Sequence, residues 1–160
     1  MAGETWKSPS AGHPVRLKDL EEACREKGFR LTPQRRAVLR TLVESGDHPA
    51  AEQLYLRVHG SLPDLSRATV FRILEHLVAG GIISKASHPG RSARYDVRTE
   101  LHHHLLCLRC ESMVDIYDDE LNKLPIPDTS TYSFDIVDFR VQLRGYCRGC
   151  RQSMRKENAR

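Results

Sequence analysis

Four of the five cysteines fall as Cys107-x-x-Cys110 and Cys147-x-x-Cys150, and this pairing limits the possible folds more than any other feature. A C-x-x-C turn offers two thiolates from one tight loop, so two such turns fill the corners of a tetrahedral Zn²⁺ site and staple distant segments together. The opening residues MAGETWKSPSAGHPVR contain no apolar core of a secretory signal, so a cytoplasmic, reducing setting is expected and disulfides are disfavoured. The alternatives are four unrelated buried cysteines or a thioredoxin-like redox pair. The strand-turn context around both pairs favours zinc. With four protein ligands no position is left for water, so the zinc is expected to be structural. A C-terminal module of about 60 residues has too small a core to be comfortably stable without such a staple. Cys24 stands apart on an apolar helix face and reads as a core residue.

Ahead of the cysteines, the apolar pattern is helical. Residues 1–15 are polar and read as a loose arm. Leu17, Leu20, Ala23 and Cys24 recur at helical spacing up to Gly28. Thr32-Pro33 is an N-cap with proline at the first helical position, and Ala37, Val38, Leu42 and Val43 follow as far as Ser45-Gly46. His48-Pro49 opens a third helix, with Ala51, Leu54, Tyr55 and Val58 inward. Ser66 caps the most regular segment, in which Val70, Ile73, Leu74, Leu77 and Val78 form the buried stripe and Gly80-Gly81 is the stop. Ile82-Ile83 and Ala93 to Val97 then read as two strands about a Pro89-Gly90 turn. Helices followed by a hairpin is the order of a winged helix-turn-helix. Beyond Glu100 the pattern changes to strands at His104 to Leu108 and Met113 to Tyr117, a short helix at Asp118 to Leu124, the breaker PIPDTS, and an alternating strand from Phe134 to Gly145. The fold class is therefore α+β, with a winged helix over residues 16–97 and a small α/β module over 98–160.

Three histidines, His102, His103 and His104, precede the first C-x-x-C. Side chains alternate along a strand, so His102 and His104 share a face and His103 points away. If the strands flanking the Cys107–Cys110 turn pair, Asp115 approaches both histidines, and Asp96 ends the preceding hairpin. A mixed nitrogen and oxygen site suits Fe²⁺, Mn²⁺, Ni²⁺ or Zn²⁺, and ligand type alone does not choose among them. A solvated histidine run beside acidic groups is the bland alternative. Spacing does not place His48 in this cluster, and His13, His59, His76 and His88 read as surface histidines.

Charge points to a second partner. The chain has 25 Lys+Arg and 21 Asp+Glu, a net charge of +4, and that small excess lies wholly in the first hundred residues, which makes this half the candidate for a polyanion partner. Arg30, Gln34, Arg35, Arg36 and Arg40 bracket the second helix and resemble phosphate-contacting groups. The face of 66–80 opposite the buried stripe exposes Arg67, Ala68, Phe71, Arg72 and Glu75. It would enter a major groove with arginines near base edges or phosphates and Phe71 against a thymine methyl. No run of residues is apolar enough to cross a bilayer, and no nucleophile or acid/base pair stands beside the histidines, so neither a membrane partner nor an enzyme is expected.

The segments Leu31-Thr-Pro-Gln-Arg-Arg36, His48-Pro-Ala-Ala-Glu52, Ser66-x-x-Thr-Val-Phe-Arg72, His102-His-His-Leu-Leu-Cys107-x-x-Cys110 and Cys147-x-x-Cys150 together resemble the Fur superfamily of metal-dependent repressors, in order and in spacing. The resemblance implies a homodimer that binds a palindromic operator on double-stranded DNA, and a C-terminal dimerisation module holding the zinc. It also carries DNA contact over to Arg30, Gln34, Arg35, Ser66, Arg67, Thr69, Phe71 and Arg72. The peroxide-responsive (PerR) branch has a regulatory site of three histidines and two aspartates, and His48, Asp96, His102, His104 and Asp115 match it in residue type. Asp115 discriminates, because the iron-sensing branch usually has Glu there, while zinc-sensing members more typically place Cys in the sensory site. The implied function is a repressor that holds Fe²⁺ or Mn²⁺, with peroxide, its only small-molecule substrate, oxidising His48 or His102 when the ion is Fe²⁺. The alternatives are an iron-responsive repressor and then a zinc- or nickel-responsive one. Phe71 stands where Tyr is usual, and Phe139 where many relatives have a metal-binding His, which argues against a third metal site.

Overall fold

The computed structural model describes residues 14–86, 88 and 92–158. The expected Pro89-Gly90 turn and residues 1–13, His13 among them, lie outside these. The chain divides into two compact units, the first ending at Glu100 and the second beginning at Leu101.

The first unit holds four helices, α1 (Leu17–Glu26), α2 (Pro33–Ser45), α3 (Ala51–His59) and α4 (Arg67–Ala79), and a hairpin of β1 (Ser84–Ala86) and β2 (Arg94–Asp96). Thr32 caps α2 by accepting from the Arg35 N–H, and Ser66 caps α4 by accepting from the Thr69 N–H, each satisfying an N–H that the first turn leaves without a helical partner. The apolar stripes meet in one core containing Leu20 and Cys24 from α1, Val38 and Leu42 from α2, Leu54 and Val58 from α3, and Val70, Leu74 and Leu77 from α4. Burial pushes the Cys24 thiol up, as expected of a core cysteine that stays neutral. Ile82 and Ile83 are buried just ahead of β1 rather than within it. At the end of α4 the chain needs glycine twice. A Cβ on Gly80 would lie 2.9 Å from the Phe29 ring, and Gly81 has φ +61°.

The hairpin pairs antiparallel with Ser84 opposite Asp96 and Ala86 opposite Arg94. It is tied to α4 through Glu75, whose Oε1 accepts from Lys85 Nζ at 2.9 Å and from the Tyr95 hydroxyl at 2.8 Å.

The second unit is a three-stranded sheet in the order β4-β3-β5, formed by β3 (His103–Cys107), β4 (Met113–Ile116) and β5 (Gln142–Gly145). A short α5 (Asp119–Asn122), a 3₁₀ turn (Ser130–Tyr132) and α6 (Arg148–Asn158) complete it. The strands β3 and β4 are antiparallel, whereas β3 and β5 are parallel with Cys107 opposite Gly145. Parallel pairing brings the C-terminal ends of both strands to one edge, and each end runs straight into a C-x-x-C turn.

One expectation fails here, and one element was not foreseen. The alternating segment from Phe134 is not one long strand, since only Gln142–Gly145 pairs. Phe134 and Val137 are 65% and 95% exposed, so these two apolar side chains are not buried among the described residues. The final helix α6 was not anticipated. It has no apolar stripe and no buried residue, so no hydrophobic period announced it.

Candidate functional site

The four cysteines converge. Their sulfurs all lie within 4.8 Å of one another, and Cys110 Sγ is 3.8 Å from Cys147 Sγ, the edge length of a sulfur tetrahedron with Zn–S bonds of about 2.3 Å. The first turn is closed by Glu111, whose N–H donates to the Cys107 carbonyl at 3.0 Å and whose φ is +59°. The second turn feeds α6, with the Arg151 N–H donating to the Cys147 carbonyl and the Cys150 N–H donating to Cys147 Sγ at 3.5 Å. Cys107 and Cys150 hold their protons unequally. Burial raises the Cys107 thiol, but donation from the backbone N–H groups of Cys110, Cys147 and Arg109 outweighs it and brings it down to about 6. Burial and hydrogen bonds to Cys147, Cys110 and Cys107 push Cys150 up to about 12. A site that already stabilises a thiolate and brings four sulfurs within 4.8 Å of one another suits a structural zinc ion.

The first unit contributes one histidine–carboxylate pair. The Tyr95 N–H donates to the Pro49 carbonyl and Ala50 bridges to Arg94, so the 48–50 segment runs beside β2. His48, with φ +46°, adopts a left-handed backbone that few non-glycine residues take. It is buried and its Nε2 lies 3.2 Å from Asp96 Oδ2, while the other oxygen of Asp96 accepts from the Arg98 N–H at 2.8 Å.

The second unit contributes a triad. His102 and His104 bring their Nε2 atoms to 3.1 Å with rings at 78°, and Asp115 Oδ1 lies 3.7 Å and 3.8 Å from them. Both imidazoles are buried. His103 does point away, and sequence reasoning gave it no role. It is fully buried, with Nε2 3.1 Å from Asn122 Oδ1 and Nδ1 accepting from the Val141 N–H, so it fastens β3 to α5 and to the start of β5. Its ring packs near Phe139 with centroids 6.0 Å apart. Burial of three consecutive histidines, His102 just ahead of β3 and His103 and His104 within it, is what strand alternation alone does not predict.

The DNA candidates separate into two groups. Arg30, Gln34, Arg35, Thr69 and Arg72 line one open cavity of about 270 Å³ between the start of α2 and the face of α4. Ser66, Arg67 and Phe71 do not line it. Ser66 is occupied as the cap of α4, and Arg67 pairs with Glu52 at 2.6 Å. Phe71 was expected on the exposed face, but it is half-buried against the core with the Arg67 guanidinium 5.4 Å above its ring. It sits at the border of the stripe, like Val78 one heptad later, and a large apolar ring at a border turns inward. His88 is likewise buried rather than on the surface.

A winged helix followed by a zinc-stapled sheet, with buried histidines and a carboxylate beside them in each unit, defines a metal-dependent DNA-binding regulator. The chain belongs to the Ferric uptake regulator family, whose profile matches residues 26–144. Regulators of this family bind DNA and act as dimers. The peroxide-responsive repressor PerR of Staphylococcus aureus is 33% identical over 135 residues, which cover 82% of this chain and 91% of that protein. A zinc-bound manganese uptake regulator is 33% identical and superposes with a TM-score of 0.63, covering 80% of this chain and 98% of that one. The Vibrio cholerae ferric uptake regulator is 25% identical with a TM-score of 0.63, over 79% and 98% of the two chains. Among the described residues no helix is long and apolar enough to cross a membrane.

Proposed function

We propose that this regulator is a peroxide-responsive repressor in which His48 and Asp96 share one Fe²⁺ or Mn²⁺ with His102, His104 and Asp115. The observation that carries the reading is Asp115 opposite His104, its carboxylate within 4 Å of two buried imidazoles. The resemblance to PerR favours aspartate at this position, and the 33% identity to the S. aureus repressor supports it. Three nitrogens and two carboxylates form a donor set that suits both ions. Bound Fe²⁺ supplies electrons to peroxide, which Mn²⁺ does not readily do.

The chain's own residues do the rest. His48 and Asp96 come from the DNA-binding unit, the other three ligands from the module that forms the homodimer. If both sets held one ion, their five side chains would link the DNA-binding unit to the dimer module and so favour one presentation of the two DNA-reading helices to a palindromic operator. Metal and operator affinities are then linked reciprocally, by typically about 1–3 kcal/mol. Oxidation of His48 or His102 removes a ligand and releases the clamp. The exposed apolar run around Phe134 and Val137 supports the dimer, being the kind of surface that a second copy covers.

The test is to load the protein with Fe²⁺, add stoichiometric peroxide, weigh the tryptic peptides and measure operator binding. Gain of oxygen on a peptide carrying His48 or His102, with loss of DNA binding, is expected. Intact peptides and intact binding refute the peroxide step. The equal identity to a manganese uptake regulator favours a second reading, a metal-responsive repressor that ignores peroxide. That reading predicts metal-dependent binding unchanged by the oxidant.

A further inference from the structure

We infer that His76 is a phosphate contact of the DNA-binding unit, completing a cationic cavity that makes DNA affinity depend on pH. The inference rests on the DNA-binding reading and adds a residue to which that reading gives no role.

Thr69, Arg72 and His76 follow one another at i, i+3 and i+7 along α4, and all three line the cavity of about 270 Å³ whose other wall carries Arg30, Thr32 and Arg35. Among the described residues the polar lining has three guanidinium groups, an imidazole, two hydroxyls and the Gln34 amide, and no carboxylate. The acid nearest in sequence, Glu75, is engaged by Lys85 and Tyr95. Several other basic side chains of the unit are paired locally, with Arg36 on Glu21, Arg57 on Asp47 and Arg67 on Glu52. Among the described residues the cavity arginines have no such carboxylate partner. Arg35 instead donates to the Arg30 carbonyl at 2.6 Å and stacks over Phe29, which holds the wall in place.

A concave, cation-lined site with hydroxyl donors suits a tetrahedral oxyanion, since guanidinium groups bind phosphate oxygens in a fork and hydroxyls fill the remaining lone pairs. The phosphodiester of a duplex is the source that a winged helix meets. Histidine is the side chain whose charge ordinarily changes between pH 5 and 8. The charged groups facing His76 are Arg72 from its own helix and Arg30 and Arg35 from the segment packed against it. A phosphate brought among them favours the protonated imidazole, so DNA binding takes up a proton at this residue.

The experiment uses the full-length, Mn²⁺-saturated protein and a duplex that the wild type itself selects from a randomised pool. Affinity is measured by fluorescence anisotropy at pH 6 and pH 8 over a series of salt concentrations. The wild type is expected to bind about tenfold more tightly at pH 6 than at pH 8. H76Q should lose that difference, and its plot of log affinity against log salt at pH 6 should be shallower by about two, one contact per chain of a homodimer. H76R should bind tightly at both pH values. His76 is exposed, so all variants should melt with the wild type. H76Q with a wild-type pH profile and salt slope overturns the inference and leaves DNA binding standing, whereas failure of the wild type to select any duplex defeats the DNA reading itself. If inorganic phosphate alone shifts the His76 ring resonances while H76Q leaves DNA binding unchanged, the cavity serves a free anion and the DNA contact is refuted.

Discussion

His104 and Asp115 stand directly opposite each other in the ladder between β3 and β4, with the carboxylate oxygen 3.8 Å from the imidazole Nε2. Cross-strand partners on one face are close enough to bind a common ion, and neither residue is needed for the sulfur site. Asp115→Ala should therefore weaken Mn²⁺ binding at least about tenfold, measured by calorimetric titration. Zinc content by elemental analysis should remain that of the wild type. Equal loss of both metals would show that Asp115 acts through the fold.

The sulfur cluster predicts both a stability effect and a proton count. Cys110→Ser or Cys147→Ser should release zinc and melt the second unit's transition at markedly lower temperature, because structural zinc binding is worth on the order of 10 kcal/mol of folding free energy. In the metal-free protein the lowered Cys107 thiol adds stability that is full above its unfolded value of 9.0 and lost as pH falls through about 6. The raised Cys150 thiol works in the opposite sense, its contribution present below 9.0 and lost as pH climbs through about 12. At neutral pH, Cys107 is thus already ionised, while Cys150 must give up a proton to the metal. Calorimetry of zinc binding in buffers of different ionisation enthalpy should count fewer protons released than there are sulfur ligands.

Glu75 holds the β1–β2 hairpin to α4. Lys85 first, and then the Tyr95 hydroxyl, keep its carboxyl below the usual range, and the pair with Lys85 is partly exposed. Glu75→Gln should cost about 0.5–1 kcal/mol at pH 7. A lowered carboxylate contributes above its unfolded value of 4.5 and loses that contribution as pH falls through its folded value. Urea midpoints of wild type and variant should therefore converge under acid conditions and stay apart at pH 7.

Much of this was legible in the sequence. Thr32-Pro33 and Ser66 announced two helix starts, because capping is local chemistry within four residues. The C-x-x-C pairs announced the zinc site, because ligand spacing is local too. His102, His104 and Asp115 followed from strand alternation once β3 and β4 pair. His48 was not legible from the residues alone. Its approach to Asp96 depends on a left-handed backbone at φ +46° and on Pro49 and Ala50 bonding to β2, which are tertiary features. Phe71 misled because helical periodicity marks the centre of a stripe well and its border poorly. The strand expected from Phe134 shows the same limit: alternation marks an apolar face, without saying whether the segment pairs.

Gly80 makes a packing prediction with an internal control. Its Cβ position lies 2.9 Å from the Phe29 ring, whereas that of Gly60 lies 3.6 Å from its nearest neighbour, the Arg57 carbonyl. Both residues have right-handed backbone, so alanine is allowed at each and only the space differs. Gly80→Ala should destabilise by about 1–3 kcal/mol through overpacking, and Gly60→Ala should fall within about 0.5 kcal/mol of wild type. Thermal melts of the two variants should separate accordingly.

Val137 is 95% exposed and Phe134 65% exposed, on a segment with an alternating apolar pattern and no ladder partner among the described residues of its own chain at 134–140. In a homodimer built on this segment each chain buries its valine. Burial of one such side chain contributes about 2 kcal/mol, and the two copies about 4 kcal/mol. Val137→Asp removes this and adds a carboxylate to each copy, so the dissociation constant should rise by at least roughly a thousandfold. Sedimentation equilibrium should then show monomer at concentrations where the wild type is dimeric. The sulfur cluster lies at the opposite end of β5 from this segment, so the variant should keep its zinc. A Val137→Asp protein that remains dimeric would place the interface elsewhere on the second unit.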